Sequence, residues 1–179
     1  MDKKPESYQW LVVFVFQAIF LVLLSQLNQT LATVSLFLFI NGLLISFPAL
    51  FLPLGQGMAS VVLLSIFYDS GESWSIGTSL APNLLAFTII YHVRGRIRHD
   101  KRRVFKPVVL LTNLALFIYY TMLAGVRLEF TSQFVFLNLS HLLESQLVLL
   151  AVSGWLIAYQ KEVLQMFKID VDATYRAAE

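Results

Sequence analysis

The chain has 179 residues, of which 58% are hydrophobic and only 13% charged, with a formal net charge of +2. Soluble domains carry about 25% charged residues, so this balance excludes an ordinary soluble domain and favours a protein that lies in a membrane. The absence of cysteine excludes disulfides, thiolate metal sites and a cysteine nucleophile.

Six apolar segments predict membrane-spanning helices, because a crossing helix needs about 20 residues. Pro53 and Pro107 suit the first turns of helices, where a missing N–H costs nothing. The third segment is short, which leaves a re-entrant hairpin as an alternative to a crossing. No internal repeat is evident, so the sequence predicts a single all-α membrane domain over 1–179. Its predicted spans are 10–27, 31–47, 53–68, 76–93, 107–126 and 133–159, followed by a tail at 160–179.

A basic segment separates the fourth and fifth predicted spans and holds seven of the thirteen Lys and Arg residues. Such clusters stay on the cytoplasmic side of a membrane. Six crossings put this segment on the same side as Lys3, Lys4 and the basic residues of the tail, whereas five would separate them. The sequence therefore predicts six transmembrane helices with both termini cytoplasmic. The cytoplasmic basic loop consists of Arg94, Arg96, Arg98, Lys101, Arg102, Arg103 and Lys106.

The basic loop is predicted to face anionic lipid headgroups rather than a polynucleotide. It is tethered to the membrane at both ends, where a positive segment meets the anionic headgroups of the inner leaflet. It also lacks the interleaved aromatic residues on which bases stack. Nucleic acid is therefore not an expected partner.

Polar residues inside the predicted spans are candidates for function, because ionisable groups at bilayer depth are costly. Asn138, His141 and Glu144 share one face of the sixth span with Ser145. This stripe fits a proton relay, a ligand site or a catalytic pair, but it also fits packing against neighbouring helices or a partner. A lone His-x-x-Glu without further ligands predicts no metal site. Four further polar residues are predicted to form hydrogen bonds between helices: Gln17, Asn41, Asn83 and Asn113.

The segment 69–75 is predicted to form a turn on the outer side. Asp69 ends the third span, Gly71 permits a tight turn, and Trp74 suits an interfacial anchor. Gly77 lets two helices approach closely near the start of the fourth span. No phosphate-binding loop and no nucleophile elbow occurs, so we predict neither a catalytic site nor a cofactor.

Residues 55–98 resemble MreD, the integral membrane component of the bacterial rod-shape machinery, or elongasome. The likeness lies in a glycine-containing third span, an Asp at its end, a Gly-x-x-x-Leu start to the next helix and a basic exit from it. In this chain those features are Gly57, Asp69, Gly77 with Leu80 one position closer than in the family pattern, and the Arg94 group. The residues after Asp69 depart from the commonest form of the family, which has a Pro-x-Gly there.

The resemblance implies a non-enzymatic scaffold in the bacterial inner membrane that supports peptidoglycan synthesis and cell shape. The implied partner is MreC and, through MreC, a glycosyltransferase and a transpeptidase. The basic loop would face anionic lipid or the actin-like MreB filament, and segment 69–75 would face the periplasm near MreC. The resemblance implies no cofactor.

Two other classes of function remain open at this point. The first is a substrate-binding S component of an energy-coupling-factor vitamin transporter, a family of six-helix proteins of this size to which the MreD fold is similar. The Ala-x-x-x-Ala pair typical of its first helix is missing, because the first span contains only Ala18. The second is an intramembrane enzyme that uses His141 and Glu144.

Overall fold

The structure is a computed structural model that describes residues 8–71, 75–95, 101–128, 130–167 and 169. Within these ranges the chain is all-helical, with no strand, which confirms the predicted all-α class. The elements are α1 (Gln9–Leu31), a 3-10 turn (Ala32–Val34), α2 (Asn41–Phe51), α3 (Leu54–Gly71), α4 (Leu80–Val93), α5 (Lys101–Leu128) and α6 (Ser132–Met166).

Three stretches of the described chain are long and apolar enough to cross a membrane: Gln9–Val34, Phe105–Leu128 and Ser132–Met166. The apolar helices α2 and α4 have 11 and 14 residues. At about 1.5 Å per residue, neither alone reaches across a hydrocarbon core of about 30 Å. The chain is thus a membrane protein with spanning helices, while six crossings and cytoplasmic termini stay predictions.

The second predicted span, 31–47, differs from the structure. The chain leaves the 3-10 turn through Ser35 in a left-handed conformation (φ 57°). Residues 36–40 then form no helix, and α2 begins only at Asn41. Hydropathy does not distinguish this non-helical segment from a helix, because its residues are equally apolar. The second span is therefore a broken one, in which a non-helical segment precedes the helix α2.

Helix α2 lies at the centre of the molecule, and every residue from Asn41 to Leu50 is buried. It packs closely against α5, α4 and α3, with smaller contacts to α1 and α6. A Cβ at Gly42 would overlap the backbone of Asn113, so glycine is required for the close approach of α2 and α5. One hydrophobic core includes residues from all six helices.

Proline in the middle of α2 leaves one backbone carbonyl without its helical donor, and a side chain on α1 replaces that donor. Pro48 has no N–H, so the carbonyl of Leu44 loses its partner within the helix. Gln17, fully buried on α1, donates its amide Nε2–H to that carbonyl oxygen at 2.8 Å. The predicted interhelical hydrogen bond of Gln17 is thus confirmed, and Pro48 supplies its physical reason.

Candidate functional site

The turn between α3 and α4 is organised by one buried carboxylate. Asp69 is only 2% exposed, and its Oδ2 accepts hydrogen bonds from the backbone N–H groups of Gly77 at 2.7 Å and Ser79 at 3.2 Å. Ser79 immediately precedes α4, so the carboxylate lies where the helix dipole is positive. Asp69 therefore closes α3 and caps α4 at the same time.

Glycine is required at Gly77 but not at Gly71. Gly77 has a φ of +100°, a backbone conformation that residues with a Cβ rarely adopt. The prediction that Gly77 allows a close approach of two helices is wrong, because a Cβ there would meet open space and the residue precedes α4. Gly71 is the last residue of α3, and a Cβ there would meet open space. The prediction that Gly71 makes the tight turn is wrong in this respect, because the unusual backbone lies six positions later. Trp74 lies outside the described residues.

Behind Asp69, a polar network connects α3 and α4. The Ser79 hydroxyl donates to the carbonyl of Ser65, and Asn83 Nδ2 donates to the Ser65 hydroxyl, both at 3.0 Å. Further along the same contact, a Cβ at Gly57 would lie 2.6 Å from the Phe87 ring, so the helices touch there. The predicted interhelical bond of Asn83 is confirmed. Gly57 and Asp69 lie along this same contact between α3 and α4.

The non-helical residues 36–40 are held by side chains from three helices. Asn28 on α1 both donates to and accepts from the backbone of Leu38, each at 2.9 Å. Asn113 on α5 donates to the Phe39 carbonyl at 2.9 Å and accepts from the Gly42 N–H at 3.1 Å. The Ser145 hydroxyl on α6 accepts from the Phe39 N–H at 2.9 Å. Backbone that would be unsatisfied in lipid is thus paired within the protein.

The predicted polar stripe on α6 divides into two groups. His141 Nε2 lies 3.1 Å from the carbonyl oxygen of Ser35, so it supports the broken span together with Ser145. Asn138 donates to the Phe134 carbonyl of its own helix, and Glu144 Oε1 accepts from the Ser140 hydroxyl. His141 and Glu144 therefore have different partners. No three His, Cys, Asp or Glu side chains come together as a metal-ligand set within the described residues.

A cavity of about 510 Å³ lies at the end of the molecule where α1 ends and α3 ends; we call it the α1–α3 cavity. Its walls come from the second half of α1, the non-helical segment and the last turn of α3. Aromatic side chains lie on two sides, with Phe37 and Phe39 from the broken span and Phe67 and Tyr68 from α3. Its size falls in the usual range for small-molecule sites, roughly 300 to 1,000 Å³.

The basic loop is described in part, and its first residue has a structural role. Arg94 Nη1 donates to the carbonyls of Leu52 at 2.8 Å and Ala49 at 3.3 Å, and its guanidinium lies 3.8 Å from the centre of the Tyr91 ring. A cation at the C-terminus of α2 is favoured by the helix dipole. Arg96 and Arg98 lie outside the described residues. The remaining loop residues are in the first turns of α5, where the side chain of Lys106 is exposed and those of Lys101, Arg102 and Arg103 are not described.

Replacing Arg94 with glutamine is expected to lower the midpoint of thermal unfolding in detergent. Glutamine keeps much of the length of the arginine side chain but lacks the positive charge that binds the carbonyls at the end of α2. Hydrogen bonds from charged groups contribute about 1.5 to 3 kcal/mol each to stability. Lys106→Gln is the matched control, because that side chain is exposed. Equal midpoints for the two variants in differential scanning fluorimetry would contradict the role of Arg94.

Sequence reasoning predicted interhelical bonds for Asn113 and Gln17 but not their targets, and it did not single out Asn28 as a candidate. One signal in the sequence points to Gln17: a proline four residues after Leu44 requires a replacement donor for that carbonyl. No comparable signal marks Asn28 or Asn113, because their backbone partners become visible only once the second span is known to be broken.

Comparison with known proteins adds no family assignment. No protein-family model, no curated protein and no solved structure matches the chain. The function has to be inferred from the geometry above together with the resemblance of residues 55–98.

Proposed function

We propose that this protein is a non-enzymatic scaffold of the bacterial rod-shape machinery that binds MreC and supports peptidoglycan synthesis and cell shape. The observation that carries the proposal is the capped turn of Asp69, Gly77 and Ser79. The residues of the MreD resemblance are separate in the sequence, yet Gly57, Asp69 and Gly77 all serve the contact between α3 and α4. Because these three residues act in one structural contact, common origin explains their likeness to MreD better than chance does.

The use of the polar residues supports a scaffold rather than an enzyme. His141 and Ser145 bond to the backbone of the broken span, and Asn138 bonds to its own helix. A general base has to lie within hydrogen-bond reach of a reacting group, whereas these side chains are engaged in holding the fold. The arrangement supports stable packing and a fixed outer surface.

In the proposed topology the chain crosses the bacterial inner membrane six times with both termini in the cytoplasm. Arg94, the C-terminus of α2 and Lys161 lie at one end of the molecule, where Lys161 Nζ is 4.5 Å from the Phe51 ring. This basic end would meet anionic headgroups and the MreB filament. The Asp69 turn lies at the other end of α3 and would face the periplasm.

MreC is expected to contact the α3–α4 turn, and Ile76 is the side chain that tests this. Ile76 is 72% exposed beside the rigid Gly77 backbone, which makes it an apolar contact point on the outer end. Replacing Ile76 with Ser should reduce the MreC recovered by affinity purification from detergent at least fivefold. A buried apolar contact of this size contributes about 1.5 to 3 kcal/mol.

Val34→Ser is the matched control for this experiment. Val34 is also exposed and apolar, at 63%, and it lies in the connection from α1 to the broken span. It should leave MreC recovery unchanged. Failure of the folded wild-type protein to recover MreC would refute the scaffold function, while equal recovery with both variants would refute only the contact at Ile76.

The S component of a vitamin transporter is a second candidate, which the α1–α3 cavity favours. Mass spectrometry of the purified protein separates the two proposals. A stoichiometric vitamin that survives gel filtration would contradict the scaffold and support the transporter subunit. MreC in the eluate without a vitamin would support the scaffold and contradict the transporter subunit.

A further inference from the structure

Asn41 is a buried amide that borders the α1–α3 cavity. Asn41 was expected to bond between helices like Gln17, Asn83 and Asn113. It is only 5% exposed, yet its side chain makes no hydrogen bond to any described residue. Leaving a buried amide unpaired costs about 1 to 3 kcal/mol, so such groups usually have a partner. Asn41 lines the α1–α3 cavity, which is where a partner would have to lie.

The position of Asn41 in the fold adds a second reason for a ligand. Asn41 is the first residue of α2, at the point where the broken span becomes helical. The N-terminus of a helix carries a partial positive charge and favours hydrogen-bond acceptors. In membrane proteins, broken helices place such ends at the midplane, where they bind the polar groups of substrates.

The residues around the cavity define the chemistry of what would fill it. None of the described residues that line it is charged. Apolar and aromatic side chains such as Leu21, Phe39 and Phe67 form the inner walls, while Gln29 and Ser70 are exposed at the helix ends. A lining without charge disfavours polyphosphates and multiply charged ligands. It favours a mostly apolar molecule with a single polar group.

We propose that the α1–α3 cavity is a binding site for a small amphipathic molecule whose carbonyl or carboxylate oxygen accepts a hydrogen bond from the Asn41 amide at the start of α2. The apolar body of the ligand packs between α1 and the aromatic side chains of α3 and the broken span. Such a molecule can come from the bilayer, as a fatty acid does, or from the aqueous phase as a soluble carboxylate. The inference does not depend on the rod-shape function.

A small void directly behind Asn41 gives the site a polar interior. It is lined by Asn41, Leu64, Tyr68 and Asn83 among others. The Oδ1 atom of Asn83 is buried there without a hydrogen-bond partner among the described residues. Asn41 therefore borders two spaces, the cavity and this void, and the void is also lined by a residue with an unpaired acceptor atom.

The test measures binding of three naphthalene probes to the full-length protein in lipid nanodiscs by equilibrium dialysis. The probes 2-naphthoate and 2-naphthamide present an acceptor oxygen, and 2-naphthylmethylammonium presents a cation of similar size. The first two should bind and the third should not. Asn41→Leu, which is nearly isosteric, should weaken binding of the two acceptors at least tenfold, which corresponds to about 1.4 kcal/mol.

Asn138→Leu is the matched control. The Asn138 side chain is also an amide within an apolar helix, but it bonds to its own helix and does not line the cavity. It should change binding less than twofold. Should Asn41→Leu fail to fold, Ser70→Trp supplies a second variant, since it fills the exposed mouth without touching the core. It should abolish binding of both acceptors.

The proposal is overturned if the wild type binds neither acceptor, if the cation binds equally well, or if a folded Asn41→Leu variant binds as the wild type does. Competition by oleate distinguishes the two sources: displacement of 2-naphthoate indicates a ligand from the bilayer, and its absence a soluble one. Binding in nanodiscs is measured without MreC. A negative result here therefore contradicts the ligand site and not the scaffold function, and a negative MreC experiment contradicts the scaffold function and not the ligand site.

Discussion

Replacing Asn113 with leucine is expected to lower the free energy of unfolding by about 2 to 6 kcal/mol. The Asn113 side chain is fully buried and serves two backbone groups, the carbonyl of Phe39 and the N–H of Gly42. Leucine fits the volume but pairs with neither group. Each buried backbone group left unsatisfied costs about 1 to 3 kcal/mol. The effect should be measured as the shift in a denaturation midpoint in mixed micelles.

The control for Asn113 is the same substitution at Asn138, whose side chain bonds to the Phe134 carbonyl on its own helix. Asn138→Leu should cost less than about 1 kcal/mol, because that carbonyl keeps its place in the helical ladder. Similar losses for the two variants would mean that the broken span is not held by Asn113.

Replacing Asp69 with alanine is expected to destabilise the protein by about 3 kcal/mol or more. The variant leaves the N–H groups of Gly77 and Ser79 without the carboxylate that binds them, and hydrogen bonds to charged groups contribute about 1.5 to 3 kcal/mol each. The loss also removes a favourable charge from the start of α4. Thermal unfolding followed by circular dichroism should show a lower midpoint.

Asp69→Asn separates the charge of the carboxylate from its shape. It keeps one acceptor oxygen, so we expect about half the loss of the alanine variant. Ser70→Ala is the neighbouring control, since the exposed Ser70 hydroxyl bonds only to the Phe67 carbonyl one turn back. A stable Asp69→Ala variant would show that the turn does not depend on the carboxylate.

Apolar runs and proline positions predicted much of the helical architecture. Pro53 marks the start of α3 at Leu54, and the last predicted span, 133–159, lies within α6. The prediction that Pro107 starts the fifth helix is wrong, because the polar residues before it continue the helix back to Lys101 and leave Pro107 inside α5. Asp69 was also predicted to end the third span, and α3 does end close to it, at Gly71. These features are local: a run of apolar residues, a missing N–H or a polar stop decides them within one or two turns.

The broken span could not be predicted from the sequence, because its cause lies far away along the chain. Hydropathy at 36–40 is that of a helix, but two of the side chains that hydrogen-bond to the backbone of Phe39 are 74 residues away at Asn113 and 106 residues away at Ser145. For the same reason, the cavity residue Asn41 was indistinguishable from other polar residues in spans. Gln17, Asn83 and Asn113 have hydrogen-bond partners on other helices, whereas the Asn41 side chain has none among the residues that the structure describes.

The broken span also constrains how the protein is made. When α1 to α4 have left the ribosome, Asn28 can already pair with Leu38, but both backbone groups of Phe39 lack their partners on α5 and α6. At about 5 to 20 residues per second, the 106 residues that separate Phe39 from Ser145 take about 5 to 20 seconds to synthesise. Until then, residues 36–40 cannot enter lipid without leaving polar groups unpaired. The non-helical segment that precedes the central helix α2 is thus expected to be the last to settle into the membrane.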